Sequence, residues 1–179
     1  MQAWEQILRD AISKDYDEQQ MALFRIGLVL QRHNPHITPD SDVYEEALSR
    51  GLLRLALNEQ RQRDTVIYLA TMVRHQPKHA DSFLFAMSNA QPKILIEPLV
   101  ELLVDIGEKF GGAAAYQALV AFNNALRDGD DSVREVVKQQ ADNLIALLDD
   151  WSSAKDNLLS EKALNLADKV ETMIDSGSD

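Results

Sequence analysis

The sequence predicts an all-α protein of about nine helices in antiparallel pairs, and three observations carry that expectation. Apolar residues recur at intervals of three and four almost throughout, the period that gathers them on one helical face. The 179 residues include only 7 Gly and 5 Pro, and these punctuate the periodic segments. No segment alternates apolar and polar residues as a half-buried strand does. The length suits one domain, residues 1–175, with a short disordered tail at 176–179.

The first stripe is Trp4, Ile7, Leu8, Ala11 and Ile12. A polar break at Lys14 to Glu18 precedes a second helix carrying Leu23, Ile26 and Leu30, which ends near His33-Asn34-Pro35. Pro35 and Pro39 hold the segment from Asn34 to Ser41 out of helix. A third helix is expected from Asp42, with Glu45 completing a capping box and Ala47, Leu48, Leu52, Leu55 and Ala56 inward. Polar residues from Asn58 to Arg63 separate it from a fourth, Asp64 to His75, with Val66, Ile67, Leu69, Ala70 and Val73 in the core. Pro77 ends that helix and opens the next, Lys78 to Ala90, with Phe83, Leu84 and Met87 inward.

Pro92 and Pro98 bracket Ile94-Leu95-Ile96, where β-branching would also suit an extended piece; the helical context favours helix with a kink at Pro98. From Pro98 to Phe110 the chain is so apolar that this helix is expected at the centre of the fold. Gly111-Gly112 turn the chain into Ala113 to Arg127, whose Ala113, Ala114, Ala115 and Ala118 permit close approach. After a turn at Asp128 to Asp131, Ser132 and Glu135 form a capping box for a helix reaching about Asp149. Trp151-Ser152-Ser153 marks the last junction before a final helix from Lys155 to Asp175. There Leu159, Ala163, Leu166, Val170 and Met173 form the buried stripe of a terminal cap, with weak self-association of this helix as the alternative.

Composition excludes several chemistries. With no Cys there is no disulfide scaffold, no cysteine-ligated metal cluster and no cysteine nucleophile. No apolar run approaches the roughly 20 residues of a membrane helix, and the N-terminus lacks the pattern of a secretory signal. The expectation is therefore a cytoplasmic protein that does not enter membranes. The net charge of -11 is uneven: residues 128–179 hold 13 acidic and 5 basic side chains. Gly-rich phosphate loops, G-x-S-x-G and His-Glu-x-x-His motifs are all missing from the sequence, and no cofactor is expected.

Helical pairs beginning near Gln2, Asp42, Lys78 and Ala113 are spaced by 40, 36 and 35 residues. Such a period is the mark of stacked helical hairpins that bury their stripes against neighbours. The segment Leu126-Arg127-Asp128-Gly129-Asp130-Asp131-Ser132-Val133-Arg134-Glu135, continuing to Val137, Ala141 and Leu144, resembles the inter-helix turn and second helix of a HEAT repeat. The resemblance covers about residues 126–148. It implies a short right-handed α-solenoid in which Val133 plugs the gap between stacked pairs and Arg134 bridges to a turn carboxylate such as Asp128 or Asp130, or to that of the next repeat. The earlier junctions lack the Asp-x-x-Val-Arg core, and an irregular helical bundle is the alternative architecture.

Three sets of residues are candidates for function. Arg50, Arg54, Arg61, Arg63 and Arg74 form a basic patch in an acidic chain, suited to an acidic protein surface. A sequence pI near 4.7 argues against nucleic acid as the partner. Glu97, Glu101 and Asp105, followed by Glu108, make an acidic stripe along the apolar helix, with Lys93 and Lys109 spaced for i,i+4 ion pairs to Glu97 and Asp105. His33, His36, His75 and His79 lie near helix ends, where the macrodipole favours them. A metal site built from them, with support from Asp40, Asp42 or Asp81, competes with that reading, but Pro35 and Pro77 sit inside the pairs and deny them a shared helical turn.

The expected function is a non-catalytic adaptor or scaffold module that binds another protein through an elongated helical face. The competing class is an α-solenoid enzyme with a site built from scattered residues. HEAT-like repeats also occur in bilin lyases and alkylpurine DNA glycosylases, so the resemblance admits a lyase-like or nucleic-acid-acting enzyme. A lyase would need an apolar cleft, for which Tyr68, Phe83, Phe85 and Tyr116 are the available aromatics.

Overall fold

The computed structural model describes residues 2–37 and 55–176, and among them the fold is all-α. Nine helices follow in order: α1 (Gln2–Asp10), α2 (Tyr16–Arg32), α3 (Glu59–His75), α4 (Asp81–Met87), α5 (Pro92–Ile106), α6 (Gly112–Asp128), α7 (Asp131–Gln139), α8 (Ala141–Ser152) and α9 (Asn157–Ser176). Most of the helix expected from Asp42, together with Arg50, Arg54, Asp40 and residues 177–179, lies outside the described residues; its last expected residues, Leu55 and Ala56, are described and are not helical. No described helix is long and apolar enough to cross a membrane.

Several helices begin at a side-chain cap. Asp15 accepts from the Glu18 amide to open α2 and Asn58 from the Arg61 amide to open α3, each satisfying an amide the first turn leaves unpaired. The polar stretch Asn58 to Arg63 is thus the first turn of α3 and its cap, not a spacer. At α7 the cap is Asp130, whose carboxylate accepts from the Ser132 and Val133 amides. The Ser132 hydroxyl also donates to Asp130, so Ser132 serves the cap instead of being it.

The helix expected from Ser132 to Asp149 is broken at Gln140, where φ is -114 and ψ is 15. Val133, Val137, Ala141, Leu144 and Leu148 are all buried, and their spacing would also suit one straight helix. The break lets α7 pack on α5 while α8 lies along α9. Pro98 falls inside α5, which continues through it from Pro92 to Ile106.

The helices contact one another in two series. One runs α2, α4, α6, α9, and the other runs α3, α5 and then α7 and α8. Contacts of α3 with α4, α5 with α6, and α8 with α9 join the series. The expected pairing of residues 78–90 with 98–110 is displaced accordingly, because α4 packs against α3, α2 and α6. Hydrogen bonds hold that arrangement. The buried Asn34 amide donates to the carbonyls of Asn89 and Ala90, and Gln91 donates to the buried Gln62.

The core runs the whole length, and α5 supplies Ile94, Leu95, Ile96, Leu99, Val100, Leu102 and Leu103 to it. Its apolar character places it between α3, α6, α7 and α8, as expected of the most hydrophobic helix. Leu159, Ala163, Leu166 and Val170 of α9 are buried and Met173 is half-buried, closing the far end. Trp151 stacks on Phe110, with ring centroids 6.3 Å apart. Three residues expected inward, Ile12, Ala56 and Ile67, are instead exposed.

Candidate functional site

The face shared by α3 and α5 gathers most of the charged residues singled out in the sequence. On α3, Arg63, Ile67, Ala70 and Arg74 follow one another at helical spacing and line a groove of about 280 Å³. Ile94, Glu97, Pro98 and Glu101 of α5 form the other wall. Ile67 is 54% exposed, an aliphatic side chain held between two arginines.

Ion pairs close the groove at both ends. Near the start of both helices Lys93 pairs with Glu59, and near their ends Arg74 reaches Asp105 at 3.1 Å. Start pairs with start and end with end, so α3 and α5 run side by side in one direction. The expected i,i+4 partner of Lys93 was Glu97; the Glu59 carboxylate on the neighbouring helix takes the ammonium instead. The hydrogen bond from Lys93, more than the accompanying charge attraction, lowers the pKa of Glu59. Such exposed pairs contribute little stability; they mark the parallel register that the packing of the two helices has set.

What remains in the groove is unbalanced. Arg74 is engaged with Asp105, whereas the Arg63 side chain makes no ion pair or hydrogen bond among the described residues. Glu97 and Glu101 lie one helical turn apart, are exposed, and make no ion pair or hydrogen bond among the described residues.

The basic patch is not one surface. Arg61 lies with Trp4, Glu5, Leu8, Asp64 and Tyr68 on the side of α3 that faces α1, whereas Arg63 lies in the α5 groove. Residues two apart on a helix are separated by roughly 200°, which neighbouring sequence numbers conceal. Arg134 reaches Asp131, a carboxylate of the same turn, at 3.6 Å, while Asp128 is occupied by Arg127 and Asp130 caps α7.

Among the described residues no three His, Cys, Asp or Glu side chains gather as a metal site would require. His33 is a structural acceptor: its Nε2 takes the Leu57 amide at 3.0 Å. Burial, with Arg32 adding to it, lowers its pKa. His36, His75 and His79 are exposed.

The aromatic residues are dispersed. Phe83 is in the core, the Tyr68 hydroxyl donates to the Leu8 carbonyl at 2.6 Å, and Lys162 lies over the Tyr116 ring at 5.6 Å. Phe85 is exposed beside Phe24 in a second groove along α2, α4 and α6, with Gln20 and Gln117. Phe24 had no signal in the sequence, because α2 carries apolar residues on more than one side. Ile67 did have one: it shares a helical face with Arg63 and Arg74, not with Val66, Leu69 and Val73. No family model, no curated protein and no solved structure matches this chain.

Proposed function

We propose that this chain is a non-catalytic protein-interaction module whose α3–α5 groove receives a segment of a partner protein. The observation that carries the reading is Ile67, half exposed between Arg63 and Arg74 and facing Glu97 and Glu101. An apolar centre rimmed by charged groups is the anatomy of a protein interface. The charges select and orient the partner, and the aliphatic centre supplies desolvation.

The architecture behind the groove is read as a short HEAT-like stack. Two contact series joined by cross-contacts, and same-direction neighbours in α3 and α5, support that reading. So does the turn before α7, where the Asp130 cap sets Val133 into the core at 1% exposure. In such stacks an extended face, not an enclosed cavity, is the binding element.

Affinity purification from the source cells tests the function, comparing the wild-type chain with Ile67→Ser. The reading expects a stoichiometric partner retained by the wild type and lost from the variant, with helical circular dichroism and melting temperature unchanged. Equal recovery of the same partner by both chains would exclude the groove.

A further inference from the structure

Resting on the reading of the α3–α5 groove as a docking site, we propose that its occupant is a cationic amphipathic helix of a partner protein. That helix presents two Lys or Arg residues one turn apart to Glu97 and Glu101 and an aliphatic side chain to Ile67. Charge complementarity is the argument. The ion pairs Lys93–Glu59 and Arg74–Asp105 neutralise both ends of the groove, and Arg63 between them makes no ion pair of its own among the described residues. The charges left over in the groove are the Glu97 and Glu101 carboxylates against the single Arg63 guanidinium, so the surplus is one negative charge. A net charge of -11 adds long-range attraction for a cation.

The geometry favours a helix as the form of that partner. Glu97 and Glu101 rise along α5 by one turn, about 6 Å, which matches cations at i and i+4 on a helix laid along the groove. Between the parallel α3 and α5, Ile67 and the half-buried Pro98 are the apolar surface on which a helix-in-groove contact would rest.

A phage-displayed library of random 16-residue peptides, selected against the full chain, provides the test. The proposal expects enriched sequences with Lys or Arg pairs three or four residues apart beside Leu, Ile, Val or Met. A synthetic peptide of that set should bind the Glu97→Gln/Glu101→Gln variant roughly tenfold more weakly, and the charge-reversed Glu97→Lys/Glu101→Lys variant more weakly still. It should also lose affinity for Ile67→Ser and keep it for Phe24→Ser.

Peptides that depend on Ile67 but ignore Glu97 and Glu101, or that are enriched in Asp and Glu, overturn the cationic partner and leave the groove standing. Peptides indifferent to Ile67, or no enrichment, overturn both. All these positions are solvent-exposed, and melting curves of each variant separate lost binding from lost fold.

Discussion

Two adjacent glycines make opposite demands on their surroundings. A Cβ on Gly111 would lie 2.4 Å from the Lys78 carbonyl oxygen, where the turn at 77–79 crosses the start of α6. A Cβ on Gly112 would meet nothing within 4 Å. Gly111→Ala is therefore expected to lower stability by about 1–3 kcal/mol through overpacking against backbone. Gly112→Ala should be neutral or stabilising by less than about 1 kcal/mol, because alanine favours helix over glycine. Urea titration of the two variants checks the contrast, and equal effects would mean the turn does not pack as described.

His33 gives the fold a pH dependence of known sign. Its neutral Nε2 accepts the Leu57 amide, and burial holds its folded-state pKa below the ordinary value of about 6.5. As pH falls the unfolded chain takes up the proton first. Stability is then complete above about pH 6.5 and declines as pH drops through the folded-state pKa. Thermal melts of His33→Ala should show a lower melting temperature at neutral pH and a shallower loss between about pH 7 and about pH 5.5. Parallel pH profiles of the wild type and His33→Ala over that range would contradict the assignment.

At the scale of the element, most of the fold was legible and the reasons for the exceptions are physical. Stripes with a clean period, such as Leu159, Ala163, Leu166 and Val170, face inward as their spacing requires. The break at Gln140 was illegible because the apolar spacing runs unchanged across it; it arises from α7 and α8 meeting different neighbours. The same holds for the displaced pairing of α4, which is held by Asn34 and Gln62, polar residues whose partners lie far along the chain. Helix α9 supplies an internal control. Leu166 is 1% exposed and Leu164 is 56% exposed. Leu166→Ala should cost about 2–5 kcal/mol, whereas Leu164→Ser should change stability by no more than about 0.5 kcal/mol. Denaturant titration compares them directly, and sedimentation of Leu164→Ser beside the wild type reads whether α9 also pairs chains.

For the molecule as a whole, the sequence identified the charged residues of the candidate site but not their grouping. Arg63, Arg74, Glu97, Glu101 and Asp105 seemed two separate features, one basic and one acidic; the parallel course of α3 and α5 makes them the walls of one groove. Arg61 leaves that set because two residues' displacement turns it to the far side of α3. The net charge of -11 acquires a local meaning here, since pairing across the helices leaves two carboxylates against one guanidinium in the groove. Mapping amide chemical-shift changes on the full chain, titrated with the tightest selected peptide, tests this account most directly. It predicts changes concentrated at residues 63–74 and 94–101, abolished by Ile67→Ser. Changes confined to the Phe24 and Phe85 groove, or to α9, would contradict it.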